Sequence, residues 1–278
     1  MCLRTHSHDM GCGNSKRVDQ AATGPDMVLL KLADLLNNPL LSAENDGKGV
    51  TSHEVLEQHW NAKKSIAGVF GAGSFVTIPW SQLKATKYAV LTYGWGGCTW
   101  SQIIKALKKK GEMKVEYVWI DIFCLDQNDP NKMETIKRTA DIYGWADEYH
   151  VMGFNTFKRG WCQCELGVTT APPIFYSNDD GLEEEVGDIT SKLAVAEPEE
   201  RRAEVKQLLG FEAAGFTVEA DRPTVRTMIE AARGSVESFD EYLVDKVQND
   251  AAIMAAAVAS FMMGEAMADI QSSFTFPQ

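Results

Sequence analysis

The sequence predicts an α/β protein: a parallel sheet with flanking helices, followed by a helical carboxy-terminal region. Three observations carry this. Short apolar runs alternate with helical periodicity from about residue 87 to residue 177, the pattern of strand–helix–strand units. One of those runs, Val115 to Phe123, is almost continuously apolar, as strands buried on both faces are. After Ser177 the alternation stops and only helical patterns follow.

The elements follow in chain order. Met27 to Leu36 has helical periodicity, and Ser52 to Trp60 reads as a further short helix. Tyr88 to Tyr93 (YAVLTY) is a strand ending at Gly94, and Trp100 to Lys110 is an amphipathic helix with Ile103, Ile104 and Leu107 on one side. Val115 to Phe123 is expected to be one continuous buried strand, and Asn131 to Trp145 one helix. Tyr149 to Phe154 is a short strand, Trp161 to Thr170 a helix, and Pro173 to Tyr176 a last strand. Helices are expected at Glu197 to Leu209, Arg222 to Ala232 and Val236 to Ala268. Three segments result: a leader with short helices (1–84), the α/β core (85–177), and an acidic linker with the helical region (178–278).

Composition narrows the functional classes. The chain has 278 residues, 27 Lys and Arg against 39 Asp and Glu, and a formal net charge of -12. That balance argues against a general nucleic-acid binder, which needs basic surface to release phosphate counterions. Lys105 to Lys110 carries four lysines, read as the wet face of a helix. Six cysteines without CxxC spacing point to reduced structural thiols, hence a cytosolic setting, and to no metal site. The longest apolar stretch, Ala251 to Gly264, is shorter than the ~18–20 residues of a membrane span.

Residues 10–16 read MGCGNSK. Counted from Met10, they complete the M-G-x-x-x-[ST] pattern, with Gly11 as the myristate acceptor and Cys12 as a palmitate acceptor. Two chains would anchor the protein on a membrane surface, where one gives only marginal binding. Counted from Met1, Gly11 is internal and the stretch is a glycine-rich leader. Both readings stay open.

In an open α/β sheet, ligands bind beyond the carboxyl ends of the strands. Thr92, Tyr93, Gly94, Trp95 and Gly96 follow the first core strand: small residues that let a ligand approach backbone, with aromatic rings to stack on it. Asp121 and Asp126 follow the second, where capping of the next turn is the competing role. Arg159, Trp161 and Glu165 follow the third. Glu165 lies near a helix start, where the dipole favours an ionised carboxylate.

These residues resemble a known family. YAVLTYGWGG (88–97) with VWIDIFCLDQ (118–127), and the later R-x-W-x-x-x-E of Arg159, Trp161 and Glu165, are similar to the heterokaryon-incompatibility domain of fungal cell-death proteins. That family is related in fold to Toll/interleukin-1 receptor (TIR) domains, whose W-C-x-x-E element matches Trp161, Cys162 and Glu165. The resemblance implies a flavodoxin-like sheet and, by analogy with TIR enzymes, cleavage of the nicotinamide–ribose bond of NAD by Glu165. NAD would be substrate, not cofactor. Thr92, Tyr93, Gly94, Trp95, Gly96, Asp121, Asp126, Arg159 and Trp161 would line the substrate site. The same resemblance admits a non-catalytic self-association module at a membrane, or a nucleotide sensor.

Overall fold

A computed structural model describes residues 25–42, 44–45, 48–49, 69–71, 73–94, 98–109, 113–125, 129, 131–176, 196–216 and 219–249. Outside these lie the expected helix at 52–60, Gly11 and Cys12, Trp95, Gly96 and Asp126, residues 178–195, and residues 250–268 of the last expected helix.

The fold is α/β. Its strands are β1 (Met27–Lys31), β2 (Glu44–Asn45), β3 (Lys48–Gly49), β4 (Phe75–Ile78), β5 (Tyr88–Tyr93), β6 (Tyr117–Trp119), β7 (Glu148–Met152) and β8 (Pro173–Tyr176). Six form one sheet in the order β4-β1-β6-β5-β7-β8, and β2 pairs with β3 in a small hairpin of their own. Strands β6, β5, β7 and β8 are mutually parallel. Numbered by sequence among themselves they run 2-1-3-4, the order of flavodoxin-like doubly wound sheets.

The sheet is mixed, because β1 lies antiparallel to both β4 and β6. Both added strands come from before residue 85, so one sheet draws on two of the segments that the sequence separates. The expected helix over Met27 to Leu36 is corrected: Met27–Lys31 is strand, and only Leu32–Leu36 is helical (α1). In MVLLK the apolar side chains of Met27, Leu29 and Leu30 are all buried in the sheet. Sheet pairing overrides the helical period there.

Helices α2 (Pro39–Ser42) and α3 (Trp80–Leu83) are single turns. Helix α4 (Trp100–Lys109) buries Trp100, Ile103, Ile104 and Leu107 while Lys105, Lys108 and Lys109 stay exposed, as its periodicity predicts. The expected strand over Val115 to Phe123 is shorter. β6 spans three residues, and Asp121–Cys124 turns into a helix (α5). The Ile120 carbonyl accepts the N–H groups of Phe123 and Cys124, so backbone pairing moves from the ladder into the turn. The single helix expected over Asn131 to Trp145 is two pieces, α6 (Lys132–Ile136) and α7 (Thr139–Gly144). The Thr139 hydroxyl donates to the Ile136 carbonyl (2.7 Å) at the break, a local side-chain bond that competes with the helix ladder.

After β7, Gly153 takes φ 76, a conformation open chiefly to glycine. It turns the chain into a 3-10 segment, Phe154–Lys158, that leads to helix α8 (Gly160–Val168). The carboxy-terminal helices are α9 (Pro198–Leu208), α10 (Arg222–Arg233) and α11 (236–249). α10 packs on α8. Val236, Phe239, Leu243, Val244 and Val247 of α11 are buried in the same core as the sheet.

Candidate functional site

β5 is buried along its whole length between β6 and β7, so its carboxyl end opens at the point where successive connections diverge to either side. That is where such sheets bind ligands. Thr92 is its penultimate residue, and its hydroxyl, 1% exposed, donates to Glu165 Oε2 over 2.6 Å. Glu165 arrives from α8, the helix reached from β7. The sheet order thus joins a strand end and a helix that are distant in sequence.

Glu165 keeps part of its surface open, yet protein atoms crowd its carboxyl, and its pKa is pushed up to about 8. Burial is the main cause, and the Asp121 charge adds to it. Hydrogen bonds from the Thr92 and Tyr143 hydroxyls pull the other way and do not win. This corrects the expectation that the helix dipole favours the ionised form. Arg159 is the cap and Gly160 the first residue of α8, so Glu165 sits in the second turn, where the dipole has faded. The carboxyl is largely neutral at pH 7.

Asp121 opens α5 directly beyond β6. Its Oδ1 accepts the N–H of Ile122 (2.7 Å) and the hydroxyl of Tyr93 (3.3 Å). The cap position itself is Ile120, which makes no side-chain cap bond, so Asp121 holds a first-turn N–H from inside the helix while its charge acts on Glu165. The Tyr93 ring is fixed edge-on against Trp100, centroids 5.4 Å apart. Gly94 donates its N–H to Thr156 Oγ1 (3.2 Å), which itself donates to the Met152 carbonyl (2.6 Å). Thr156 ties the end of β5 to the end of β7.

The residues before Glu165 are held by the carboxy-terminal region. Arg159 pairs with Gly215 as an isolated parallel bridge. Trp161 is half-buried, and its indole N–H donates to Asp221 Oδ2 (3.1 Å). Cys162 Sγ contacts the Tyr93 carbonyl (3.7 Å). Burial raises the thiols of Cys162 and Cys164, the latter up to about 12, which suits inert packing groups and not nucleophiles.

Of the residues singled out from sequence, Thr92, Tyr93, Asp121 and Glu165 converge at one end of the sheet, with Gly94 beside them. Arg159 and Trp161 stand at the near end of α8, and Trp95, Gly96 and Asp126 lie outside the described residues. Sequence reasoning missed Tyr143, whose hydroxyl also donates to the Leu91 carbonyl (3.4 Å), and Thr156 and Asp221. An aromatic inside a helix pattern reads as packing, and no spacing links positions 161 and 221. Among the described residues no group of three or more His, Cys, Asp or Glu side chains could hold a metal ion, and no helix is long and apolar enough to cross a membrane.

The molecule is thus an α/β protein with a carboxyl-centred site at its parallel strand ends. The family described as "Heterokaryon incompatibility protein (HET)" matches residues 97–155. That span contains Asp121 and Tyr143 and stops short of Thr92 on one side and of Thr156 and Glu165 on the other. No curated protein and no solved structure matches the chain.

Proposed function

We propose that the chain cleaves the nicotinamide–ribose bond of NAD, with Glu165 as the catalytic residue, in the cell-death or incompatibility setting that the HET match suggests. The observation that carries this reading is the Glu165 carboxyl held by the Thr92 hydroxyl at the strand ends, where burial pushes its pKa up. The W-C-x-x-E resemblance to TIR enzymes at Trp161, Cys162 and Glu165 supports it.

The chemistry suits such a group. Nicotinamide is bound to ribose as a pyridinium cation, so it departs with the bonding pair as a neutral molecule and needs no acid. The ribosyl carbon left behind is oxocarbenium-like, and an adjacent carboxylate stabilises it. Water adds to that carbon and its proton passes to Glu165 or solvent, giving ADP-ribose, nicotinamide and a proton. A cyclic product follows if a nucleophile within the same nucleotide adds instead. The cationic ring itself favours ionisation of Glu165 on binding. Thr92 would hold the carboxylate, and Arg159 would offset pyrophosphate charge.

The test is nicotinamide release from NAD by the full-length protein at high concentration, where self-association is not limiting, beside Glu165→Gln. Release that falls at least a hundredfold in Glu165→Gln supports the reading; release equal in both, or absent from both, overturns it. A second reading, nucleotide binding without cleavage, is favoured by the same carboxyl, because it is held mostly neutral at pH 7. It would show as NAD bound by both proteins and cleaved by neither.

A further inference from the structure

The residues that precede Glu165 on its helix are gripped from one direction by a segment about fifty residues further on in the chain. The Gly160 N–H donates to the Gly215 carbonyl (3.0 Å), and the Gly215 N–H donates to the Lys158 carbonyl (2.8 Å). The Phe216 ring lies so close over Gly160 that a Cβ there would stand 2.0 Å from a ring carbon. Only hydrogen at that position lets the ring seat.

Arg222 pins the segment. Its guanidinium donates to the Phe211 carbonyl (3.2 Å) and the Ala214 carbonyl (2.9 Å), and it lies 4.7 Å above the Phe216 ring. Three carbonyl- or ring-facing contacts from one planar cation define a single geometry, which a lysine would not reproduce. The neighbouring Asp221 accepts the Trp161 indole N–H. Trp161 is one helical turn before Glu165, on the same side of α8.

We infer that Phe216, Asp221 and Arg222 are positioning residues: they brace the first turn of α8 and thereby set how Cys162 and Glu165 seat against the end of β5. The brace rests on the proposed function only for what it would control, namely assembly of the site. Its own existence is open to a test that involves no nucleotide. Cys162 serves as the reporter, being buried against the Tyr93 carbonyl within the braced turn. Cys124, buried beside β6 against the Val118 carbonyl, serves as the control.

The experiment is alkylation of the native full-length chain by N-ethylmaleimide, mapped by mass spectrometry, in wild type, Arg222→Ala and Phe216→Ala. Labelling of Cys162 should rise at least tenfold in both variants while Cys124 is unchanged. Asp221→Ala, which removes one bond, should give a smaller rise that Asp221→Asn abolishes, since the amide oxygen still accepts from the indole. Unchanged Cys162 labelling overturns the inference. So does a parallel rise of Cys162 and Cys124, which would make these residues general stabilisers of the fold. Nicotinamide release is measured separately, so a chain with no NAD cleavage can still pass or fail here.

Discussion

Thr92 Oγ1 and Glu165 Oε2 are 2.6 Å apart although the residues are 73 positions apart in sequence. The bond joins the end of the central strand to the second turn of the helix beyond β7, and it works against burial. Hydrogen bonding to a carboxylate favours the ionised form, while desolvation and the Asp121 charge disfavour it. Thr92→Val should therefore raise the Glu165 pKa above about 8. A carboxyl-carbon NMR titration of the variant against wild type reads this directly. If NAD is cleaved, the rising limb of kcat/KM with pH should move upward with it.

Glu165 should also make stability fall with pH. Its folded pKa lies near 8 and its ordinary value is 4.5. Between these the unfolded chain has lost the proton and the folded one retains it, so ionisation favours unfolding across that window. Below it the cost vanishes, and above it the cost is constant. Glu165→Gln removes the group while keeping an oxygen for Thr92. The variant should gain on wild type by on the order of 3 kcal/mol between pH 5 and pH 8.5, measured by urea unfolding. An unchanged difference between the two pH values contradicts the shift.

Gly167→Ala should destabilise the protein although alanine favours a helix by about 1 kcal/mol. A Cβ at Gly167 would lie 2.1 Å from the Phe239 ring, and Phe239 is wholly buried. Overpacking of that kind costs about 1–3 kcal/mol. A drop in Tm is expected, with recovery when Phe239→Leu is added to make room.

Lys246→Met tests the other end of the same helix. The ammonium donates to the Leu166 carbonyl (2.9 Å) and the Thr169 carbonyl (2.7 Å), among the last acceptors of α8, which lack partners within the helix. Losing the bonds from a charged donor should cost about 1–3 kcal/mol. Faster amide exchange over residues 165–170 than over β5 would place the loss there.

Much of the fold was legible because the four parallel strands and α4 follow simple periodicities. Tyr88–Tyr93 reads as a strand from its short run ending at Gly94, and all six of its residues are buried; the wet lysines of α4 mark the outer side of that helix. What escaped was set by pairing at a distance. Met27–Lys31 has a helical pattern, but β4 and β6 claim its backbone on both sides. The end of Val115 to Phe123 is apolar apart from Asp121, and one acid within an apolar run does not mark the turn that it begins. At the site, the strand-end rule found Thr92, Asp121 and Glu165 without geometry. It could not give the protonation of Glu165, which depends on the burial of a folded neighbourhood, nor the partner of Trp161, 60 residues away.

The supports of α8 have a consequence in time. A chain is made from its amino end, and Lys246 follows Leu166 by 80 residues. At ~5–20 residues per second of synthesis, the site helix is complete about 4–16 s before its last anchor has even been joined to the chain. Its first turn waits until Gly215 and Asp221 are made, and its final carbonyls have only water or transient contacts until Lys246 follows. Glu165 therefore settles under Thr92 with full support only after about eighty further residues have been made, and a nascent chain halted before Lys246 carries the residues of the site without its last anchor.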